Sequence, residues 1–223
     1  MSLKIVLTGA TGFVGGEVLA QCLRNPAISS IVVLSRRPLP ITTHDPKVKE
    51  FIMKDFTVYT EEVKREFKEA DACIWALGAR AAVPEVEIDY PLALGDTILS
   101  VRSSTKPFRY VYCSGMFSER DQTKPLWKSQ TVRRVKGRAE SSMLDFSQLR
   151  GKAVWETYIV KPAMIIRPAG GTLKKLISNA VFGTVRVDEL AAAMIELVTR
   201  GAQKDTFENA EIVQLGKEML AMD

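Results

Sequence analysis

The 223 residues carry 31 lysines and arginines against 26 aspartates and glutamates, a formal charge of +5, with 46% hydrophobic and 26% charged side chains. The chain is too long for a minimal domain and too short for two comfortable ones, so one α/β unit spanning residues 1–223 is expected. No apolar run approaches the roughly 20 residues that cross a bilayer, and a strand pattern beginning at Leu3 leaves no room for a secretory leader, which makes the cytosol the expected compartment.

β-Branched runs alternate with amphipathic segments, the mark of βαβ units and a parallel sheet. Leu3–Leu7 reads as a strand, then a glycine turn and a helix to about Arg24. Ser30–Leu34 is the second strand. A loop with Pro38, Pro40 and Pro46 leads to a third at Val48–Met53, and Thr60–Glu69 is a short, highly charged helix. Asp71–Ala76, apolar enough to be central, is the fourth strand. A helix from about Glu87 to Ser103 feeds the strand Phe108–Cys113, and a long helix, Trp127–Leu149, is opened by Pro125 and closed by Gly151. Thr157–Val160 is the sixth strand. The last third has a loop with Pro168, Gly170 and Gly171, a helix over Val187–Thr199 and another from about Asn209. The sum is a doubly wound parallel sheet, a Rossmann fold, with a small C-terminal lobe on the substrate side.

Thr8-Gly9-Ala10-Thr11-Gly12-Phe13-Val14-Gly15 stands at the first β–α junction. Gly9 allows a sharp turn, Gly12 removes a Cβ where backbone must approach a pyrophosphate, and Gly15 lets helix pack on strand. The helix N-terminus then offers free N–H groups to phosphates. The loop, Thr11, Phe13 and Val14 included, predicts a dinucleotide. After the second strand comes Ser35-Arg36-Arg37, with no acid until Asp45. A carboxylate there would suit ribose hydroxyls and repel a 2′-phosphate, whereas a hydroxyl and two guanidiniums can cradle one, so NADP is expected.

These residues resemble the short-chain dehydrogenase/reductase superfamily, in its atypical NmrA-like branch. The glycine loop carries the likeness, with Ser35-Arg36-Arg37, Ala76-Leu77-Gly78, Tyr112-Cys113-Ser114, Val135-Lys136-Gly137 and Lys161-Pro162. The resemblance implies that Asp55 and Phe56 lie by the adenine, that Ala76, Leu77 and Gly78 line the ribose and diphosphate, and that Pro162 to Ile165 flank the nicotinamide. It also implies a catalytic Ser114 and a Lys136 that holds the nicotinamide ribose. Active members place a tyrosine four residues before that lysine, on the same helix face, as general acid. Here that position is Val132, and none of the tyrosines (59, 90, 110, 112 and 158) lies on the helix. Tyr110 and Tyr112 share one strand face and read as core.

Three functions follow: an NADP-dependent oxidoreductase of a small organic carbonyl or alcohol, with Ser114, water or another group moving the proton; a non-redox isomerase, dehydratase or cyclase in which Ser114, Lys136, Arg133 or Arg134 polarises the substrate; and a non-catalytic dinucleotide sensor with a protein partner. The fold favours the first and Val132 the others. The basic run Lys124, Lys128, Arg133, Arg134, Lys136 and Arg138 lacks a nucleic-acid motif and reads as a solvated helix face beside an anionic cofactor. The expected partner is a small molecule, with no nucleic acid and no membrane, and a protein partner or homo-oligomer is left open. His44 reads as a solvated loop residue, and a single histidine with unpaired cysteines predicts no metal site. Cys22, Cys73 and Cys113 read as buried reduced thiols. Ser114 lacks a nucleophile-elbow pattern and a histidine base, against hydrolase chemistry. Trp127 and Trp155 read as packing or pocket wall.

Overall fold

The computed structural model describes residues 2–40, 45–79, 81–168 and 183–222; His44, Gly170 and Gly171 lie outside them. Seven strands form one parallel sheet: β1 (Leu3–Thr8), β2 (Ile28–Ser35), β3 (Val48–Ile52), β4 (Ala72–Trp75), β5 (Phe108–Cys113), β6 (Trp155–Lys161) and β9 (Thr206–Glu208). They run in the order β3-β2-β1-β4-β5-β6-β9. A second, two-stranded parallel ribbon pairs β7 (Met164–Ile166) with β8 (Thr184–Arg186). The doubly wound Rossmann sheet expected from the sequence is present, and its direction of winding reverses between β1 and β4. Their carboxyl ends part there to leave a crevice, where such sheets bind ligands.

Helices cover both faces, so the central strands are apolar throughout instead of alternating. Ile5 and Leu7 of β1 point to the face packed by α1 (Phe13–Arg24) and α5 (Val187–Arg200), with Val18, Leu190 and Met194. Val6 points the other way, into a cluster with Leu34, Phe67, Trp75, Ile98, Tyr110 and Met143. That side is closed by α2 (Glu61–Lys68), α3 (Tyr90–Val101) and α4 (Gln130–Phe146). The final helix, α6 (Asn209–Leu220), packs on α5, whose Glu189 carbonyl leaves no room for a Cβ at Gly216. Among the described residues no helix is long and apolar enough to cross a membrane.

Four departures from the sequence reading matter for the site. The long helix begins at Gln130, not Trp127, because Ser129 sits in the left-handed region (φ 52°) and breaks the helical run. Trp127 is 97% exposed and is not packed as expected, whereas Trp155 is buried against Phe108 and Tyr110 as expected. A π-helical turn, Glu85–Asp89, precedes α3 and turns Glu87 completely into the interior. Finally, β7, β8 and β9 have three residues each, too few to show a periodic pattern.

The segment between β5 and α4 lies directly on α4. The Glu119 amide donates to the Arg133 carbonyl at 3.0 Å, and a Cβ on Gly137 would stand 1.7 Å from the Glu119 carbonyl oxygen. Gly137→Ala gains about 1 kcal/mol in helix propensity but must push that backbone away. A net loss of about 1–3 kcal/mol is expected in chemical denaturation; unchanged stability would contradict the close approach.

Candidate functional site

The phosphate-binding loop is assembled as the glycines require. Gly9 has φ +75°, and a Cβ there would lie 2.4 Å from the Ala76 carbonyl at the end of β4. A Cβ on Gly15 would lie 2.2 Å from the Gly9 carbonyl. The Gly12 amide donates to the Gly9 carbonyl at 2.8 Å and Gly12 caps α1. No side chain caps that helix and its first turn holds no acid, so its leading N–H groups are available to an anion. Gly12 and Phe13 are exposed, Thr11 and Val14 half-buried. Gly12 and Phe13 border a pocket of about 530 Å³ that also touches Arg167, whose guanidinium lies 5.1 Å over the Phe13 ring. Arg167 was missed in the sequence because it follows β7, a strand too short to be seen. Across the crevice the Leu77 amide donates to the Thr8 hydroxyl at 3.3 Å, tying β1 to β4. Ala76 and Leu77 are half-buried beside the exposed Gly78.

At the end of β2, Arg36 and Arg37 are exposed, while Ser35 is turned inward. The Ser35 hydroxyl is 2.8 Å from the Arg37 carbonyl and 3.0 Å from the Glu50 carboxylate, which also accepts from the Leu39 amide at 2.8 Å. Glu50 escaped the sequence reading because it comes from β3, the neighbouring strand. It is engaged in bracing the loop, and the two guanidiniums are the groups left facing outward. Asp55 accepts from the Thr57 hydroxyl (2.6 Å) and amide (2.7 Å), which lower its carboxyl below the ordinary range. Phe56 is 1% exposed and stacks on Tyr90 at 5.4 Å, so its ring is occupied within the protein and offers no open face.

Two buried carboxylates organise the chemical end. Glu140, fully buried on α4, lies 2.5 Å from the Ser114 hydroxyl with one oxygen and 2.7 Å from Arg120 Nε with the other; Lys161 Nζ is 3.7 Å away. The Ser118 hydroxyl is 2.9 Å from that of Ser114. A carboxylate can only accept, so the hydroxyls line up as Ser118 to Ser114 to Glu140. Glu87, also fully buried, accepts from Tyr112 Oη at 2.6 Å, Lys136 Nζ at 3.1 Å and the Ala79 amide at 2.9 Å. Burial, then the Glu87 charge and hydrogen bond, hold the Tyr112 phenol well above its ordinary range. Tyr112 is therefore core, and it cannot replace the absent tyrosine as an acid open to a substrate. Glu140 and Lys136 are four apart on one helix face. The sequence singled out neither carboxylate, because nothing local signals which carboxylates burial will select.

Val132, Lys136, Met116, Phe117, Ala163 and Met164 surround a mostly apolar pocket of about 390 Å³, closed by Gly115, Ser118, Arg133 and the buried Pro162. Ile165 is half-buried in β7 beside it. Val132, Lys136 and Pro162 thus line one pocket, and Ser114 reaches its wall through the Ser118 hydroxyl. Among the described residues no group of three or more His, Cys, Asp and Glu could hold a metal ion. Cys22 and Cys73 are buried and Cys113 half-buried; burial pushes the Cys22 thiol up to about 12, an inert state.

The profile of the NAD dependent epimerase/dehydratase family matches residues 5–132. Leucinostatins biosynthesis cluster protein T of Purpureocillium lilacinum is 30% identical over 118 residues, covering 50% of this chain and 42% of that protein. Protein fmp52, mitochondrial, of Aspergillus clavatus is 24% identical over 165 residues, covering 73% and 66%. The matches thus span less than two thirds of both relatives. Among solved structures, yeast methylglyoxal/isovaleraldehyde reductase Gre2 with NADPH superposes with a TM-score of 0.70 at 13% identity, covering 93% of this chain and 78% of that one. Vestitone reductase from alfalfa gives 0.67 at 17%, covering 92% and 76%. At these identities the structural likeness speaks to fold alone.

Proposed function

The chain belongs to the NAD dependent epimerase/dehydratase family, within the short-chain dehydrogenase/reductase superfamily, and from that premise we propose that it is an NADP(H)-dependent oxidoreductase of a small organic carbonyl or alcohol. The observation that carries the reading is the uncapped helix behind Gly9, Gly12 and Gly15, whose leading N–H groups are open to an anion. The residues fit the cofactor: the first turn of α1 receives the diphosphate, Arg36 and Arg37 the 2′-phosphate, and Lys136 the nicotinamide ribose while Glu87 fixes its reach. The bound nicotinamide supplies or takes up a hydride. The choice of the 2′-phosphorylated dinucleotide rests on Arg36 and Arg37, exposed at the end of β2.

With Val132 in place of tyrosine, the proton moves through Ser114. Its oxygen accepts a proton from a substrate alcohol as its own passes to Glu140, and the reverse shift protonates a carbonyl being reduced. Ser118 holds the serine in line, and Arg120 and Lys161 hold Glu140. A screen of aldehydes and ketones for NADPH oxidation tests this, and turnover abolished by Ser114→Ala is the expected result. Arg36→Ala is expected to cut the preference for NADPH over NADH by about 10-fold or more, the worth of one charge-assisted hydrogen bond to phosphate. An undiminished preference would remove the arginine from that role.

Val132 favours a second reading, a dinucleotide sensor that binds without turnover and signals to a protein partner. Unequal binding of NADPH and NADP⁺ with no oxidation of any carbonyl would favour it over the enzyme.

A further inference from the structure

Beside the apolar pocket lies a polar one of about 360 Å³, and the two share Met116, Phe117, Ser118 and Arg133. Four cations border the polar pocket: Arg120, Lys124, Lys161 and Arg133. Three are answered within the protein. Arg120 meets Glu140 at 2.7 Å, Lys124 meets Glu119 at 2.8 Å, and Lys161 lies between Glu140 (3.7 Å) and Glu208 (3.9 Å). Arg133 meets no carboxylate among the described residues. Its Nε donates to the Phe117 carbonyl at 2.8 Å and its guanidinium rests 6.0 Å over the Phe117 ring. This holds the group in one orientation and, among the described residues, leaves both terminal nitrogens without a partner. A guanidinium fixed in this way on a half-buried residue is preorganised for a planar, bidentate acceptor.

We propose that Arg133 anchors the substrate by a carboxylate, so that the preferred substrate is an apolar carbonyl or alcohol compound bearing one acid group. The single unanswered cation matches a monoanion; a phosphate near two negative charges would need a second free cation, and Lys124 and Lys161 are already paired. Val132, Met116 and Met164 take the hydrocarbon part, and the shared rim at Phe117 and Arg133 sets the acid at the mouth. The substrate class rests on the oxidoreductase reading above, but the carboxylate site itself requires no turnover.

The test is therefore a binding measurement, a calorimetric titration of the full chain with hexanoate and with hexanamide, its neutral counterpart, with and without saturating NADP⁺. Hexanoate is expected to bind at least about 10-fold more tightly, within the 10- to 100-fold expected of a charge-assisted bidentate pair. Arg133→Gln is expected to erase the preference and Arg133→Lys to keep part of it. Arg138→Gln, an exposed position on the same helix, is expected to leave it intact. Equal affinity for the two probes, binding of neither, or a preference that survives Arg133→Gln would overturn the proposal. Failure of NADP⁺ to bind, with hexanoate still preferred, would instead refute the cofactor reading and leave the carboxylate site standing.

Discussion

Gly9→Ala is expected to lose about 2–5 kcal/mol of stability and most dinucleotide affinity together. Two costs add. An L side chain at φ +75° carries about 1–2 kcal/mol of left-handed strain. The new Cβ also meets the Ala76 carbonyl at 2.4 Å and the Leu77 amide nitrogen at 2.8 Å, backbone atoms that cannot swing aside, which adds about 1–3 kcal/mol of overpacking. Relief requires β1 and β4 to part at the crevice, and this shifts the first turn of α1 off the phosphate. Each charge-assisted bond lost there costs about 10- to 100-fold in affinity. Denaturant titration and NADPH binding on the same variant check both. Wild-type stability with weak binding would mean that the loop tolerates the side chain and that Gly9 acts on the ligand directly.

The second large effect is expected at Glu87. Glu87→Leu removes the acceptor from three donors at once, leaving the Tyr112 hydroxyl and Ala79 amide unpaired and Lys136 without its counterion. Breaking one side of a buried pair costs about 3–5 kcal/mol. The lower end is expected, because the Lys136 side chain is 20% exposed and can recover some hydration. Glu87→Gln keeps one acceptor and should lose less. With Lys136 no longer held, NADPH affinity should fall at least about 10-fold even in molecules that remain folded. Stability within 0.5 kcal/mol of wild type, about the usual range for a surface change, would show that the network contributes nothing.

The fold was legible because its signals are local and repeated. Six apolar runs, amphipathic helices between them and a glycine loop at the first junction suffice to specify a doubly wound sheet, and the winding order follows from right-handed crossovers. The three-residue strands β7, β8 and β9 were invisible, since pairing and not sequence pattern defines them. The start of α4 was misplaced by three residues because Pro125 looked like a first-turn proline, when the break lies at Ser129. Gly9, Gly12 and Gly15 were picked out by motif, and Ser114 and Lys136 by the resemblance. Glu87, Glu140 and Glu50 were not, because each acts on a residue distant in the chain: Glu87 on Lys136, Glu140 on Ser114 and Glu50 on Ser35. Arg133 was named with Arg134 as a group that could polarise a substrate, yet only the pairing of its neighbours shows it to be the one left over among the described residues.

The central claim is that this crevice binds a dinucleotide and prefers the 2′-phosphorylated form. Calorimetric titration of the protein with NADPH, NADP⁺, NADH and NAD⁺ in one buffer tests it most directly. The account predicts micromolar binding of NADPH, near −8 kcal/mol, with NADH at least about 10-fold weaker. Binding of none of the four would contradict it and leave the glycine loop as a structural turn.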